Sequence, residues 1–235
     1  MDNNLRVVVA AAGIGKRMES KINKQYILLE DKPLLTYCIE VLEKCSLVQK
    51  IVIVAHAWET EYCQKEIIEK YGYMKVSRVV AGGAERQDSV FKGLEALGSD
   101  TEWVAVTDGA RPFITLDLIE ALATAAYLYG AAVPGVLTRD TIKTIDLDSF
   151  VMQTLNRTNI TAVQTPQVFD YARLFDAYKK AFQDNFYGTD DASIYERYAG
   201  SVKVIKGDPN NIKITHPEDL IWAQAIINAR RKQKK

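Results

Sequence analysis

A chain of 235 residues suits one α/β domain, or one domain with an excursion, better than two independent ones. Thirty Lys and Arg balance thirty Asp and Glu, so the whole offers no electrostatic case for binding nucleic acid or a membrane surface. Hydrophobic residues make up 48%, enough for a substantial core, yet no stretch approaches the roughly 20 apolar residues of a membrane helix.

The opening Met1-Asp2-Asn3-Asn4-Leu5-Arg6 runs straight into a strand-like segment and lacks a secretory pattern, so a cytoplasmic enzyme is expected. Residues 5–10 form an apolar run ending in a glycine loop, the mark of a buried strand feeding a turn. Residues 33–45 carry Leu35, Cys38, Ile39 and Leu42 at helical spacing. Strands over 50–55, 76–81, 103–107 and 131–136 then alternate with helices over 58–71, 85–97 and 116–129. This alternation predicts an α/β fold, a mainly parallel twisted sheet flanked by helices. The three cysteines show no CxxC spacing; Cys38 and Cys45 lie on one predicted helix and read as small reduced thiols.

From Leu137 the rhythm changes. Residues 138–145 alternate polar and apolar side chains, 146–149 look like a turn, and 151–155 return. That pattern predicts a β-hairpin arm, residues 137–159, inserted into the single domain of 1–235. A strand over 162–169, helices from Asp170 and Asp190, and a strand over 202–205 follow. The last helix begins after Thr215, with Thr215 and Glu218 at capping-box spacing and Pro217 in its first turn. Its basic tail, 230–235, reads as a frayed helix end whose cations suit the helix dipole.

The first strand runs into Ala11-Ala12-Gly13-Ile14-Gly15-Lys16-Arg17-Met18. Small residues let backbone N–H groups approach an anion, and a strand–loop–helix junction aims them at phosphates. Met18 replaces the third glycine of a dinucleotide fingerprint, and P-loop spacing is missing. What remains is GxGxRM followed by Asn23-Lys24-Gln25-Tyr26, which places Arg17 and Lys24 within reach of one polyphosphate. Attack at an α-phosphorus increases charge on its oxygens and on departing pyrophosphate, and fixed cations stabilise that charge.

Asp108 follows the strand of 103–107, and ligands of open α/β sheets bind beyond the carboxyl ends of strands. An Mg²⁺ bridging phosphate oxygens takes one or two carboxylates, so Asp108 is the candidate metal ligand, with Gly109 beside it. Arg111 is a candidate phosphate or substrate contact, with an ion pair as the alternative. The segment Gly82-Gly83-Ala84-Glu85-Arg86-Gln87-Asp88-Ser89 supplies a second glycine turn able to read a base or ribose; a plain helix-entry turn explains it equally well. His56, after a strand, and His216, opening a helix, read as structural or solvated.

Together these segments resemble the 2-C-methyl-D-erythritol 4-phosphate cytidylyltransferases, members of the nucleotidyltransferase superfamily with a Rossmann-like fold. The likeness also rests on 139–143, 163–167, 189–193 and 211–215, and runs through nearly the whole chain. It implies Mg²⁺-dependent transfer of CMP from CTP to a sugar-alcohol phosphate. Arg17, Lys24, Arg157 and Lys213 match the catalytic cations. Ala11, Ala12, Gly13, Gly15, Gly83, Ala84, Arg86, Ser89, Asp108 and Gly109 match the CTP-binding set. Arg111, Asp140, Thr141, Lys143, Thr165 and Thr189 match substrate contacts. The hairpin matches an arm that reaches into a neighbouring subunit, so a homodimer is expected. Ala84 stands where Asp is common, and Gly109 replaces a usual Ala. A ribitol-5-phosphate cytidylyltransferase is the near alternative; a non-catalytic nucleotide-binding protein is the alternative of another class.

Overall fold

The computed structural model describes residues 4–13 and 23–233. In chain order its main strands are β1 (Leu5–Ala11), β2 (Val48–Ala55), β3 (Val76–Ala81), β4 (Trp103–Asp108), β5 (Ala131–Leu137), β6 (Lys143–Ile145), β7 (Val151–Thr154), β8 (Thr161–Val163), β9 (Gln167–Asp170) and β10 (Lys203–Lys206). The helices are α1 (Leu34–Lys44), α2 (Arg86–Leu97), α3 (Leu116–Tyr129), α4 (Tyr171–Gln183), α5 (Asp191–Tyr198) and α6 (Pro217–Gln233).

Eight strands form one sheet in the order β8-β5-β9-β4-β1-β2-β3, with β10 also paired to β5. The ladders of β1 with β2, β1 with β4, β2 with β3, and β10 with β5 are parallel. Only β8 and β9 run against their neighbours. The sheet is therefore mainly parallel and helix-covered, as the alternation in sequence predicts.

The apolar run of β1 is buried on both faces because both faces carry helices. Val7 and Val9 pack with Leu35, Ile39 and Leu42 of α1 and Ile119 and Leu122 of α3. Val8 turns the other way, onto Val90 and Leu94 of α2 and Leu174 and Tyr178 of α4. Each such side chain, fully buried, stabilises by roughly 1.5–3 kcal/mol. Helix α2 lies so close to the sheet that a Cβ at Gly93 would stand 2.5 Å from Val8 Cγ1 and 2.9 Å from Val54 Cγ2. A third cluster, including Leu34, Phe113, Ile214, Ala223 and Ile227, seats α6.

Local chemistry starts several helices where the sequence places them. Asp170 accepts from Arg173 N at 3.0 Å and Asp190 from Ser193 N at 2.9 Å, capping α4 and α5. Four expectations are corrected. The strand of 162–169 is two strands, β8 and β9, split around a cis Thr165–Pro166 bond. Pro166 has no N–H for a ladder, and the two pieces pair with different strands, β8 with β5 and β9 with β4 as well as β5. The helix of 58–71 is composite: a tight turn Ala57–Glu59, Thr60–Tyr62, then a wider π-helical stretch Cys63–Glu69 that buries Cys63, Ile67 and Ile68. The box before α6 closes on Asp219, not Glu218. Asp219 Oδ2 accepts from Thr215 N at 2.7 Å and His216 N at 2.8 Å. Finally, the basic tail is tied down at its start: Arg230 donates to Phe113 O at 3.0 Å, and Arg231 pairs with Glu30, while Lys234 and Lys235 lie outside the described residues.

The hairpin is present, with shorter strands than expected. β6 and β7 form their own two-stranded ladder, Lys143 opposite Thr154 and Thr144 opposite Gln153. Asp146 Oδ1 holds the turn, accepting from Asp148 N at 3.1 Å and Phe150 N at 2.8 Å. Leu147, Phe150 and Met152 are exposed. Cys38, Cys45 and Cys63 are free and buried. Among the described residues no helix is long and apolar enough to cross a membrane.

Candidate active site

The central strands β1 and β4 end side by side. Ala10 pairs in register with Asp108, and Gly109 N donates to Ala10 O at 2.9 Å. Beyond these ends lies a cavity, where an open α/β sheet binds its ligand. Ala11, Ala12 and Gly13 form one wall, Gly83, Ala84, Arg86 and Ser89 another, and Lys24, Lys213 and Asp108 also line it.

Asp108 is the electrostatic centre. Its side chain is 9% exposed and faces three cations. Lys213 Nζ lies 2.9 Å from Oδ2, Arg86 Nε 3.4 Å from Oδ1, and Arg111 Nε 3.7 Å from Oδ2. Burial by itself would raise the carboxyl pKa; Arg86, Lys213 and Arg111 overcome it and hold the group well below the ordinary carboxylate range. Asp108 is therefore ionised. Its backbone N–H donates to Thr165 Oγ1 at 3.1 Å, so the returning chain before β9 fixes the end of β4.

Each cation is itself held from behind. Arg86 donates NH1 and NH2 to Asp191 at 3.0 and 2.8 Å, and the fully buried Asp191 also accepts from Tyr178 OH at 2.5 Å. Burial would lower the Arg86 pKa, but Asp191 and Asp108 push it above its usual value. Burial pushes the Tyr178 hydroxyl up, with Asp191 adding to the effect, so it stays a donor. Arg111 NH1 donates to Asn211 O at 2.6 Å. Lys213 is carried by a segment whose next residue, Ile214, donates to Ala110 O at 2.9 Å.

The second glycine turn is built by close approach. A Cβ on Gly83 would stand 2.3 Å from Asp88 Cβ, so a side chain there would push the turn apart. Gly83 N donates to Ser89 Oγ at 3.0 Å, and Glu85 N to Asp88 Oδ2 at 2.8 Å, the reciprocal cap of α2.

The structure thus brings Ala11, Ala12, Gly13, Lys24, Gly83, Ala84, Arg86, Ser89, Asp108 and Lys213 to one cavity. Arg111 and Thr165 stand behind Asp108, both buried, and Gly109 packs against Ala10. Gly15 and Arg17 lie outside the described residues. Asp140, Thr141, Lys143 and Arg157 do not line the cavity; all are exposed on the arm or its return, where Lys143 Nζ donates to Thr154 and Arg157 to Arg139 O. Thr189 is exposed just before the cap of α5.

Other residues at the site have no role in it assigned from sequence. His56 lines the cavity and packs against Trp58, ring centroids 3.9 Å apart. Gln25 Nε2 donates to Ala11 O at 2.6 Å. Gln164 donates to Asn211 O at 3.2 Å, and Asn211 to Thr165 O at 2.9 Å, behind Arg111. Asp191 was within reach of sequence reasoning, since it adjoins the capping Asp190; its contact with Arg86, 105 residues away, was not.

Among the described residues no three His, Cys, Asp or Glu side chains converge as a protein-only metal cage requires. One hard, ionised carboxylate lining an open cavity is instead a donor set that fits a cation brought in with other ligands.

The glycine turn at Gly83, the cations around an ionised carboxylate and their place at the carboxyl ends of central parallel strands fit a nucleotidyltransferase-type α/β protein. The sequence profile of the 2-C-methyl-D-erythritol 4-phosphate cytidylyltransferases matches residues 5–229, and the chain belongs to that family. It is 48% identical over 229 residues to the enzyme of that name from Alkaliphilus metalliredigens, covering 97% of this chain and 95% of that one. The Caldanaerobacter subterraneus enzyme is 42% identical over 95% of this chain and 99% of its own. Among solved structures, the 4-diphosphocytidyl-2C-methyl-D-erythritol synthase of Anaerococcus prevotii superposes with a TM-score of 0.85 at 33% identity, covering 95% of this chain and 96% of that one.

Proposed function

We infer that this chain transfers CMP from CTP to 2-C-methyl-D-erythritol 4-phosphate, releasing pyrophosphate and forming 4-diphosphocytidyl-2-C-methyl-D-erythritol. The observation that carries this reading is one cavity where Gly13 after β1, the turn at Gly83, Lys24, Lys213 and ionised Asp108 meet. An oxygen of the acceptor phosphate bonds to the α-phosphorus as the bond to pyrophosphate breaks. No proton need move, so positioning and charge stabilisation are the whole task. Lys24, with Arg17, takes up charge growing on the α-phosphate and leaving group. The turn of Gly83, Ala84, Arg86 and Ser89, with Gly13 and Gly15, holds base, ribose and phosphates. Lys213, with Arg157 contributed by a second copy, orients the acceptor phosphate. Arg111 and Thr165 act through Asp108, which they hold from behind, and Thr189 is left to contact the acceptor from the surface before α5.

Asp108 is the residue that would hold Mg²⁺. Bound there with the triphosphate, the ion supplies charge neutralisation at the phosphate oxygens.

We place Asp140, Thr141, Lys143 and Arg157 in a partner's site. Their exposure, together with the uncovered Leu147, Phe150 and Met152, supports a homodimer in which the arm of 137–159, an excursion from one catalytic domain, crosses to the second copy. The three free, buried cysteines agree with a reducing, cytoplasmic setting.

A pyrophosphate-release assay tests the assignment. CTP with methylerythritol phosphate should outpace every other pairing of nucleoside triphosphate and polyol phosphate. Equal turnover with ATP, or a marked preference for ribitol phosphate, would overturn it.

A further inference from the structure

Lys24 rides on very little structure. Its segment, Lys24–Tyr26, is a single tight turn, and Asn23 in front of it gives no side-chain cap. One such turn has almost no stability of its own, so the backbone that carries the lysine is placed by whatever holds its neighbours.

One side chain from outside the turn grips both of them. Glu59 Oε1 accepts from Asn23 Nδ2 at 2.5 Å, and Glu59 Oε2 accepts from Gln25 Nε2 at 3.4 Å. The carboxylate therefore brackets Lys24 from the residues before and after it. The same Gln25 amide donates to Ala11 O at 2.6 Å, tying the bracket to the end of β1 where the glycine loop begins. The segment that carries Glu59 braces the turn a second time. Tyr62 meets the ring of Tyr26 edge-on, with centroids 5.0 Å apart. Gln25 and Tyr26 are 1% and 5% exposed, so these ties lie inside the fold. Glu59 is itself fixed by its own N–H, which donates to His56 O at 2.9 Å.

We propose that Glu59 is a positioning residue for catalysis: it sets the place of Lys24 at the nucleotide phosphates without touching substrate. Preorganised charge stabilises a transition state only if it is held where charge develops, so a loosened turn loses rate before it loses nucleotide affinity. The proposal rests on the reading of Lys24 as a transition-state cation.

A double-mutant cycle separates the two ideas. Single-turnover rates and CTP affinity are measured for Glu59→Ala, Lys24→Ala and the double variant, with Glu59→Gln as the conservative change that keeps one acceptor oxygen. Glu59→Ala should slow the chemical step about tenfold with CTP affinity changed less than about twofold, and Glu59→Gln should lose less. In the Lys24→Ala background both Glu59 changes should cost nothing further. Amide exchange over 23–27 should rise in Glu59→Ala while α2 stays protected, which a general loss of stability would not produce. Equal losses with and without Lys24 would overturn the Glu59 role alone. A near-normal Lys24→Ala protein would overturn the reading of Lys24, and the proposal with it.

Discussion

The carboxyl ends of β1 and β4 and the hairpin arm are both functional surfaces, built on opposite plans. At the strand ends, Asp108 is met by Arg86, Arg111 and Lys213; Asp191, itself bound by Tyr178, holds Arg86, and Asn211 holds Arg111. On the arm, the ladder of β6 and β7 stands by itself and shows Leu147, Phe150 and Met152 to solvent. The first region, the cluster around Asp108, is assembled within one chain from partners distant in sequence. The second is locally folded and has no tertiary partner among the described residues that covers those side chains. A site that must place charge is braced from within, whereas the exposed arm, on the proposed reading, leaves its last contacts to a second molecule.

That contrast has measurable edges, the largest at Asp108. Asp108→Asn keeps the shape but leaves Arg86, Arg111 and Lys213 without their shared anion and removes the candidate Mg²⁺ ligand. Activity should fall on the order of a thousandfold in a pyrophosphate-release assay. Retention of a tenth of wild-type activity would show that the carboxylate is structural. Asp191→Ala strands the Arg86 guanidinium against the core and should destabilise by about 3–5 kcal/mol in chemical denaturation.

Arm lesions should behave differently. Arg17→Ala and Asp140→Ala proteins, each nearly inactive, are mixed under conditions that allow subunits to exchange. If the arm acts in the partner's site, roughly a quarter of all sites regain a full set of residues. Activity that stays at the parental floor, with exchange verified, returns the arm to its own subunit. Phe150→Ser should weaken self-association in sedimentation while the monomer's unfolding free energy moves by no more than about 0.5 kcal/mol.

The smallest effect is one of pH. The Asp108 pKa is depressed in the fold, so its stabilisation is present in full above the unfolded value of about 3.9 and is lost only as pH falls below that. The stability gap between wild type and Asp108→Asn should stay level from pH 8 to 5 and close only in stronger acid. A gap that narrows already between pH 7 and 6 would mean the carboxyl is not held ionised by its cations.

The same two plans decide what could be read from sequence. Strand–helix alternation, the capping carboxylates Asp170 and Asp190, and the period-two arm are local patterns, and each appears in the fold near its expected place. The glycine turns and Asp108 announce themselves because special backbone geometry and strand ends need particular residue types. Contacts across long stretches leave no such trace. Arg86 finds Asp191 at 105 positions' distance, and Asp108 finds Thr165 at 57. Glu59 reads as one more surface acid in a helix until it is seen gripping Asn23 and Gln25. The break between β8 and β9 was written in Pro166, but an apolar run on both sides concealed it.

The root of the arm has a consequence for inheritance. Its two stems are zipped together in the main sheet, Leu137 opposite Thr161, Val136 opposite Ala162 and Gly135 opposite Val163. Everything from 138 to 160 thus leaves and re-enters at adjacent rungs, and doubling the length of such a loop costs only about 0.6 kcal/mol in closure. The segment is a cassette. Its length can change without disturbing a single rung around Asp108, so on the proposed reading the arm's share of acceptor recognition can vary apart from the nucleotide site.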